Sequence, residues 1–97
     1  MRLDLFLKTG RLVKRRAIAR KMCENGSVFV NGLEAKPAKE VKLGDHITLN
    51  FPSRIIDLEV LSGFSMISRK ILPEELYRVV SETRIPSDGD IWSENLS

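Results

Sequence analysis

The sequence predicts an α+β domain, with two N-terminal helices packed on a small, mostly antiparallel sheet and a short C-terminal helix. Three observations predict it. Apolar residues first recur at helical steps, at Leu3, Phe6 and Leu7. They later alternate with polar ones, in Ile47-Thr48-Leu49-Asn50-Phe51 and Ile56-Asp57-Leu58-Glu59-Val60. Between these regimes stands Asn31-Gly32, a tight hairpin signal. A period near 3.6 buries one side of a helix, and a period of two buries one face of a strand.

The elements follow in order. Arg2 to about Thr9 reads as a short helix, broken by Gly10. A second helix runs from about Lys14 to Asn25, with Ile18, Ala19, Met22 and Cys23 on one face and Arg16, Arg20, Lys21 and Glu24 opposite. Gly26 suits the left-handed position just past its end. Ser27 to Asn31 alternates as a strand, Val28 and Val30 on one face and Phe29 on the other, and Leu33 to Lys36 is a short return limited by Pro37. Val41 and Leu43 flank a turn at Gly44-Asp45; strands follow over His46–Phe51 and Arg54–Leu61, joined by Pro52-Ser53. Residues 62–72 show no consistent period. Pro73-Glu74-Glu75 is a good helix opening, with proline first and acids at the positive end of the dipole. Leu76, Tyr77 and Val80 extend that helix to about Arg84, and Pro86 stops it. The polar, acidic remainder, 86–97, is expected to be disordered, with Trp92 its one bulky residue.

Ninety-seven residues are enough for one domain with one modest core. The net charge of +3 hides an asymmetry: residues 1–42 hold eleven Lys/Arg against four acids, and residues 43–97 hold five against nine. The basic half suits a polyanion. Its densest part is Arg11, Lys14, Arg15, Arg16, Arg20 and Lys21, six cations with no acid among them. Solvated faces usually mix signs. The lone Cys23 excludes an intrachain disulfide and a cysteine-based zinc site. No apolar run approaches a membrane span and no secretory signal is visible, so a cytoplasmic protein is expected. Neither a glycine-rich phosphate loop, nor metal-ligand spacing, nor a nucleophile with its base is present, so the expectation is a non-enzyme without cofactor or metal.

Arg2-Leu3-Asp4, Phe6-Leu7, Arg11, Arg16-Ala17, Asn25-Gly26-Ser27-Val28, Val30-Asn31-Gly32, Lys36-Pro37 and Gly44-Asp45 keep both residue type and spacing. This set resembles the S4-type RNA-binding domain, named after a small-subunit ribosomal protein, over roughly residues 1–60. The second helix departs from many members in starting on Lys14-Arg15 rather than a capping Ser or Thr. Two subfamilies lie near. Free-standing ribosome-associated quality-control factors share the Lys14-Arg15-Arg16 run, the short length and the Glu74–Tyr77 helix. Ribosome-associated heat-shock proteins of about fifteen kilodaltons share Ala17-Ile18-Ala19-Arg20 and Lys36-Pro37-Ala38-Lys39. The resemblance implies residues 1–61 as the RNA-binding domain, 62–85 as an extension and 86–97 as a tail. It also implies binding to large ribosomal subunits, where ribosomal RNA meets a stalled peptidyl-tRNA. In the first subfamily a partner factor adds the C-terminal tail to the stalled chain; in the second, the stalled particle is rescued. A monomer is expected, with no membrane partner.

The candidate RNA-binding residues are Arg2, Lys8, Arg11, Lys14, Arg15, Arg16, Arg20, Lys21, Lys36 and Lys39. Arg16 and Arg20, one turn apart, present guanidinium forks that fit phosphate oxygens; the plain alternative is a solvated helix. Arg15 points nearer the core, so an ion pair with Asp4 is open for it, and Arg2 can also pair with Asp4. Lys8, Lys36 and Lys39 either flank the same groove or are surface lysines. Asn31 reads as a turn residue, Phe29 as an edge contact to the helices or a stacking platform, Cys23 as a small buried hydrophobe, and His46 as structural. Rival readings are an RNA-modifying enzyme, for which about 37 further residues are too few, and an adaptor recruiting a basic partner through the acidic half with Tyr77 and Trp92.

Overall fold

The computed structural model describes residues 1–61 and 73–84. Helices α1 (Leu3–Thr9) and α2 (Arg16–Glu24) lead into strands β1 (Val28–Val30), β2 (Leu33–Glu34), β3 (His46–Phe51) and β4 (Arg54–Val60), then a one-turn helix α3 (Pro73–Leu76) and β5 (Tyr77–Arg84). The strands form one sheet in the order β2-β1-β3-β4-β5, each neighbouring pair antiparallel.

Register explains the core. Val28 stands opposite Leu49 and Val30 opposite Ile47; Ile47 then meets Leu58, and Leu49 meets Ile56. The same face of three strands is therefore apolar, and α1 and α2 cover it with Leu3, Phe6, Leu7, Ala19 and Cys23, all buried. The Asn31-Gly32 turn has φ of 53° and 84°, the doubly left-handed geometry of a two-residue hairpin. Asn31 is the expected turn residue: its carboxamide oxygen accepts from the His46 N–H at 3.0 Å and its amide donates to Asp45 at 3.1 Å. The hairpin is thereby tied to the start of β3.

The sequence reading held for residues 73–76 and erred on 77–84. The predicted helix lasts one turn and the chain then runs as strand, pairing with β4 from Val60↔Tyr77 to Arg54↔Arg84 with one irregularity at Asp57/Leu58. The physical reason is the outer edge of β4, whose backbone groups need partners. Val79, Val80 and Thr83 are β-branched and suit that role. Leu76 is buried and Tyr77 half-buried, whereas residues 78–84 are exposed, so the segment shows no two-residue burial rhythm.

Smaller differences concern α2 and β2. α2 starts at Arg16 rather than about Lys14, and Arg15 at its N-cap makes no side-chain capping bond, in keeping with the absent Ser or Thr. Ile18, expected on the buried face, is 44% exposed. β2 ends at Glu34. The expected disorder of 86–97, and Trp92, lie outside the described residues. Among the described residues no helix is long and apolar enough to cross a membrane.

Candidate nucleic-acid interface

Asp4 organises the basic surface. It lies in the first turn of α1, whose apolar stripe buries it, and it is 1% exposed. A buried carboxylate needs charged or hydrogen-bonded partners. Three are present: the Leu5 N–H donates to Oδ1 at 2.7 Å, Arg16 reaches Oδ1 at 3.3 Å, and the Arg2 guanidinium lies 3.4 Å away. Burial pushes the Asp4 carboxyl up, but the Arg16 and Leu5 hydrogen bonds and the charges of Arg16 and Arg2 outweigh it and hold it below the ordinary value. Arg2 and Arg16 remain about half exposed. Asp4 therefore holds one edge of each of two guanidinium groups and leaves the rest of each open to solvent. This corrects the suggested Asp4–Arg15 pair: Arg15 precedes the helix in extended conformation and is exposed, and Arg16, the first helical residue, takes the partner.

The backbone brings a second segment beside this cluster. The Leu3 N–H donates to the Lys39 carbonyl at 2.8 Å, the Asp4 N–H to the Pro37 carbonyl at 3.1 Å, and Arg2 pairs with Glu40 as an isolated bridge. Lys36 and Lys39 are thus carried to the N-terminal end of α1, where they are exposed and line an open cleft of about 320 Å³ with Leu33 and Glu34. Lys8 is placed differently. It sits in the last turn of α1, roughly 9 Å of helix rise from Arg2, where a cation complements the helix dipole.

Between α1 and α2 the chain makes a tight corner. Arg11 has φ of 60°, a left-handed conformation that costs a non-glycine residue roughly 1–2 kcal/mol. Its N–H donates to the Lys8 carbonyl at 3.0 Å. Tyr77 braces this corner from β5: its hydroxyl donates to the Gly10 carbonyl at 3.0 Å, and its ring meets Phe6 edge-on at 6.1 Å. The adaptor reading gave Tyr77 to a partner protein; the structure sets it against α1. Past the corner come Lys14 and Arg15, then Arg20 and Lys21 on the exposed side of α2, all solvent-facing. Among the described residues no carboxylate lies within 4 Å of Arg11, Lys14, Arg15, Arg20 or Lys21. The uncapped first turn of α2 adds its own N–H groups to this field.

The remaining candidates behave as ordinary structure. Cys23 is buried, and burial together with the Asp4 and Glu24 charges pushes its thiol up to about 11, which makes it a poor nucleophile. His46 opens β3 and is exposed. Phe29 is half-buried on the face of β1 opposite Val28 and Val30. Sequence reasoning missed Asp4 as the anchor of Arg16. The available signal was an acid embedded in the Leu3, Phe6, Leu7 stripe, which had to find a cation from another element.

With this geometry in view, comparisons with known proteins are specific. The S4 domain model matches residues 1–47. The RQC P-site tRNA stabilizing factor of Listeria monocytogenes is 37% identical over 84 residues, spanning 87% of this chain and 90% of that protein. The protein of the same name from Halalkalibacterium halodurans is 40% identical over 85 residues, spanning 88% and 96%. Among solved structures, a trimeric structure of Heat Shock Protein 15 from Vibrio cholerae matches with a TM-score of 0.70 at 28% identity, covering all of this chain and 92% of that one.

Proposed function

Given that this chain belongs to the family of the RQC P-site tRNA stabilizing factors and carries an S4 domain, we propose that it is a non-catalytic RNA-binding factor that holds the P-site tRNA on stalled large ribosomal subunits. The observation that carries the proposal is the unneutralised cationic surface from Arg11 to Lys21, joined by the Asp4-anchored pair Arg2 and Arg16. Fixed guanidinium groups match phosphate oxygens. Structured RNA exposes its backbone and hides most base edges, so a shape-reading surface of this kind suits ribosomal RNA and tRNA. Lys36 and Lys39 extend the contact, and Lys8 lies at its margin. A single copy acts in the cytoplasm, beside a partner factor that extends the stalled chain.

A specific observation favours a second reading: the likeness to Heat Shock Protein 15 runs the full length of the chain. That reading is rescue of the stalled particle without chain extension, and it uses the same surface.

The test is co-sedimentation with purified large subunits carrying peptidyl-tRNA. The Arg16→Ala, Arg20→Ala double variant is expected to lose co-sedimentation while keeping a folded spectrum. A folded double variant that pellets as well as the unaltered protein contradicts the proposal.

A further inference from the structure

The exposure of Ile18 marks a feature that phosphate binding does not use. Ile18 and Met22, one turn apart on α2, form one wall of a cleft of about 490 Å³. Phe51, at the end of β3, and Pro52, in the β3–β4 turn, stand across it, and Ser27 and Asn50 complete the lining. The two sides are tied together by the backbone, because the Asn50 N–H donates to the Ser27 carbonyl at 2.9 Å. Its width is therefore set by the fold. Cations flank the cleft outside its lining. Lys21 is exposed three residues after Ile18 on α2, and Arg15 is exposed in extended backbone just before the helix. On the far side the Arg54 guanidinium sits 5.1 Å from the centre of the Phe51 ring, with Glu82 as its acid partner at 3.4 Å.

We propose that this cleft takes one unpaired nucleobase of the RNA whose phosphates lie along α2. The inference rests on the RNA-binding reading and adds to it what kind of RNA is preferred. A nucleobase has flat apolar faces and a polar edge. Ile18, Met22, Phe51 and Pro52 suit the faces, while the polar atoms that Ser27 and Asn50 bring to the lining suit the edge. Each base is joined to phosphates, which complement Arg15, Lys21 and Arg54. Unstacked bases held on aromatic side chains are the usual means of recognising single-stranded RNA. A cleft of this volume is within the range that holds small organic groups. An apolar peptide would fill the walls but would leave the flanking cations unused.

The experiment compares two RNA hairpins of equal length, one fully paired and one with a single bulged uridine, by fluorescence anisotropy. The proposal expects the bulged hairpin to bind about tenfold tighter. Ile18→Gln, at a half-exposed position, is expected to abolish that preference while leaving affinity for the paired hairpin and the melting temperature unchanged. With 4-thiouridine at the bulge, irradiation is expected to crosslink the RNA to the peptide holding Met22 or to that holding Phe51. Equal affinity for both hairpins, each clearly bound, overturns the proposal, returns the cleft to a peptide occupant and leaves the RNA reading standing. Binding to neither hairpin at low salt overturns both. A preference that survives Ile18→Gln, with crosslinks elsewhere, places the base outside this cleft and also overturns the proposal.

Discussion

Asp4 shows how one buried acid sets a basic surface. Its carboxylate is held by the Leu5 N–H, Arg16 and Arg2. Hydrogen bonds to charged groups contribute about 1.5–3 kcal/mol when buried, and the half-exposed arginines reduce this to about 1 kcal/mol. Asp4→Asn is therefore expected to lose about that much stability at pH 7 by urea denaturation. The acid's folded-state pKa is lowered below the ordinary 3.8. Its contribution is present above 3.8 and is lost as pH falls through the lowered folded value. The gap between wild type and Asp4→Asn is expected to close below that point, and a gap unchanged from pH 7 to pH 2 contradicts the assignment. Arg11 offers a cleaner separation of roles. Its left-handed φ is easy for glycine, so Arg11→Gly should keep or raise the melting temperature while weakening RNA binding severalfold in a filter-binding assay. At this scale most of the candidate surface was legible. Unbroken charge from Arg11 to Lys21 is visible without coordinates, and all six cations are exposed. The Arg2 partner of Asp4 was legible, but the Arg16 partner was not, because the later start of α2 moves that pairing from Arg15 to Arg16.

The elements divide by how locally they are determined. α1, β1, β3 and β4 each carry their own period, and the Asn31-Gly32 turn carries its own backbone geometry, so all were readable. β5 was not. Its opening, Pro73-Glu74-Glu75, is a true helix start, and α3 forms there. What ends the helix after one turn is the unpaired edge of β4, a partner distant in sequence. The same segment contributes Tyr77, which links β5 to the α1–α2 corner. Tyr77→Phe removes the hydroxyl bond to Gly10 and is expected to cost about 1 kcal/mol. Gly10→Ala is expected to cost more, about 1–3 kcal/mol, because a Cβ there would sit 2.8 Å from the Tyr77 ring. Both are read by chemical denaturation, and an unperturbed Gly10→Ala variant contradicts the proposed packing of Tyr77 on this corner.

On the scale of the molecule, charge is segregated: the first forty-two residues carry a large positive excess and the remainder a negative one. Binding that releases counterions weakens as salt rises, with a slope that counts the phosphates contacted. Arg20→Ala with Lys21→Ala is expected to lower the slope of log affinity against log salt by about two on a structured RNA. An unchanged slope places those cations outside the contact. The fold class and the basic half were legible because both follow from local pattern and net charge. The cleft at Ile18 and Phe51 was not, because it joins α2 to the β3–β4 turn and exists only once the sheet is assembled.

The most direct test of the central claim is sedimentation of the tagged protein from cell lysate at low and high salt, with sequencing of the RNA that accompanies it. Recovery with large subunits and tRNA is expected at low salt, and its loss at high salt. Recovery with unrelated RNAs, or with none, would contradict the claim.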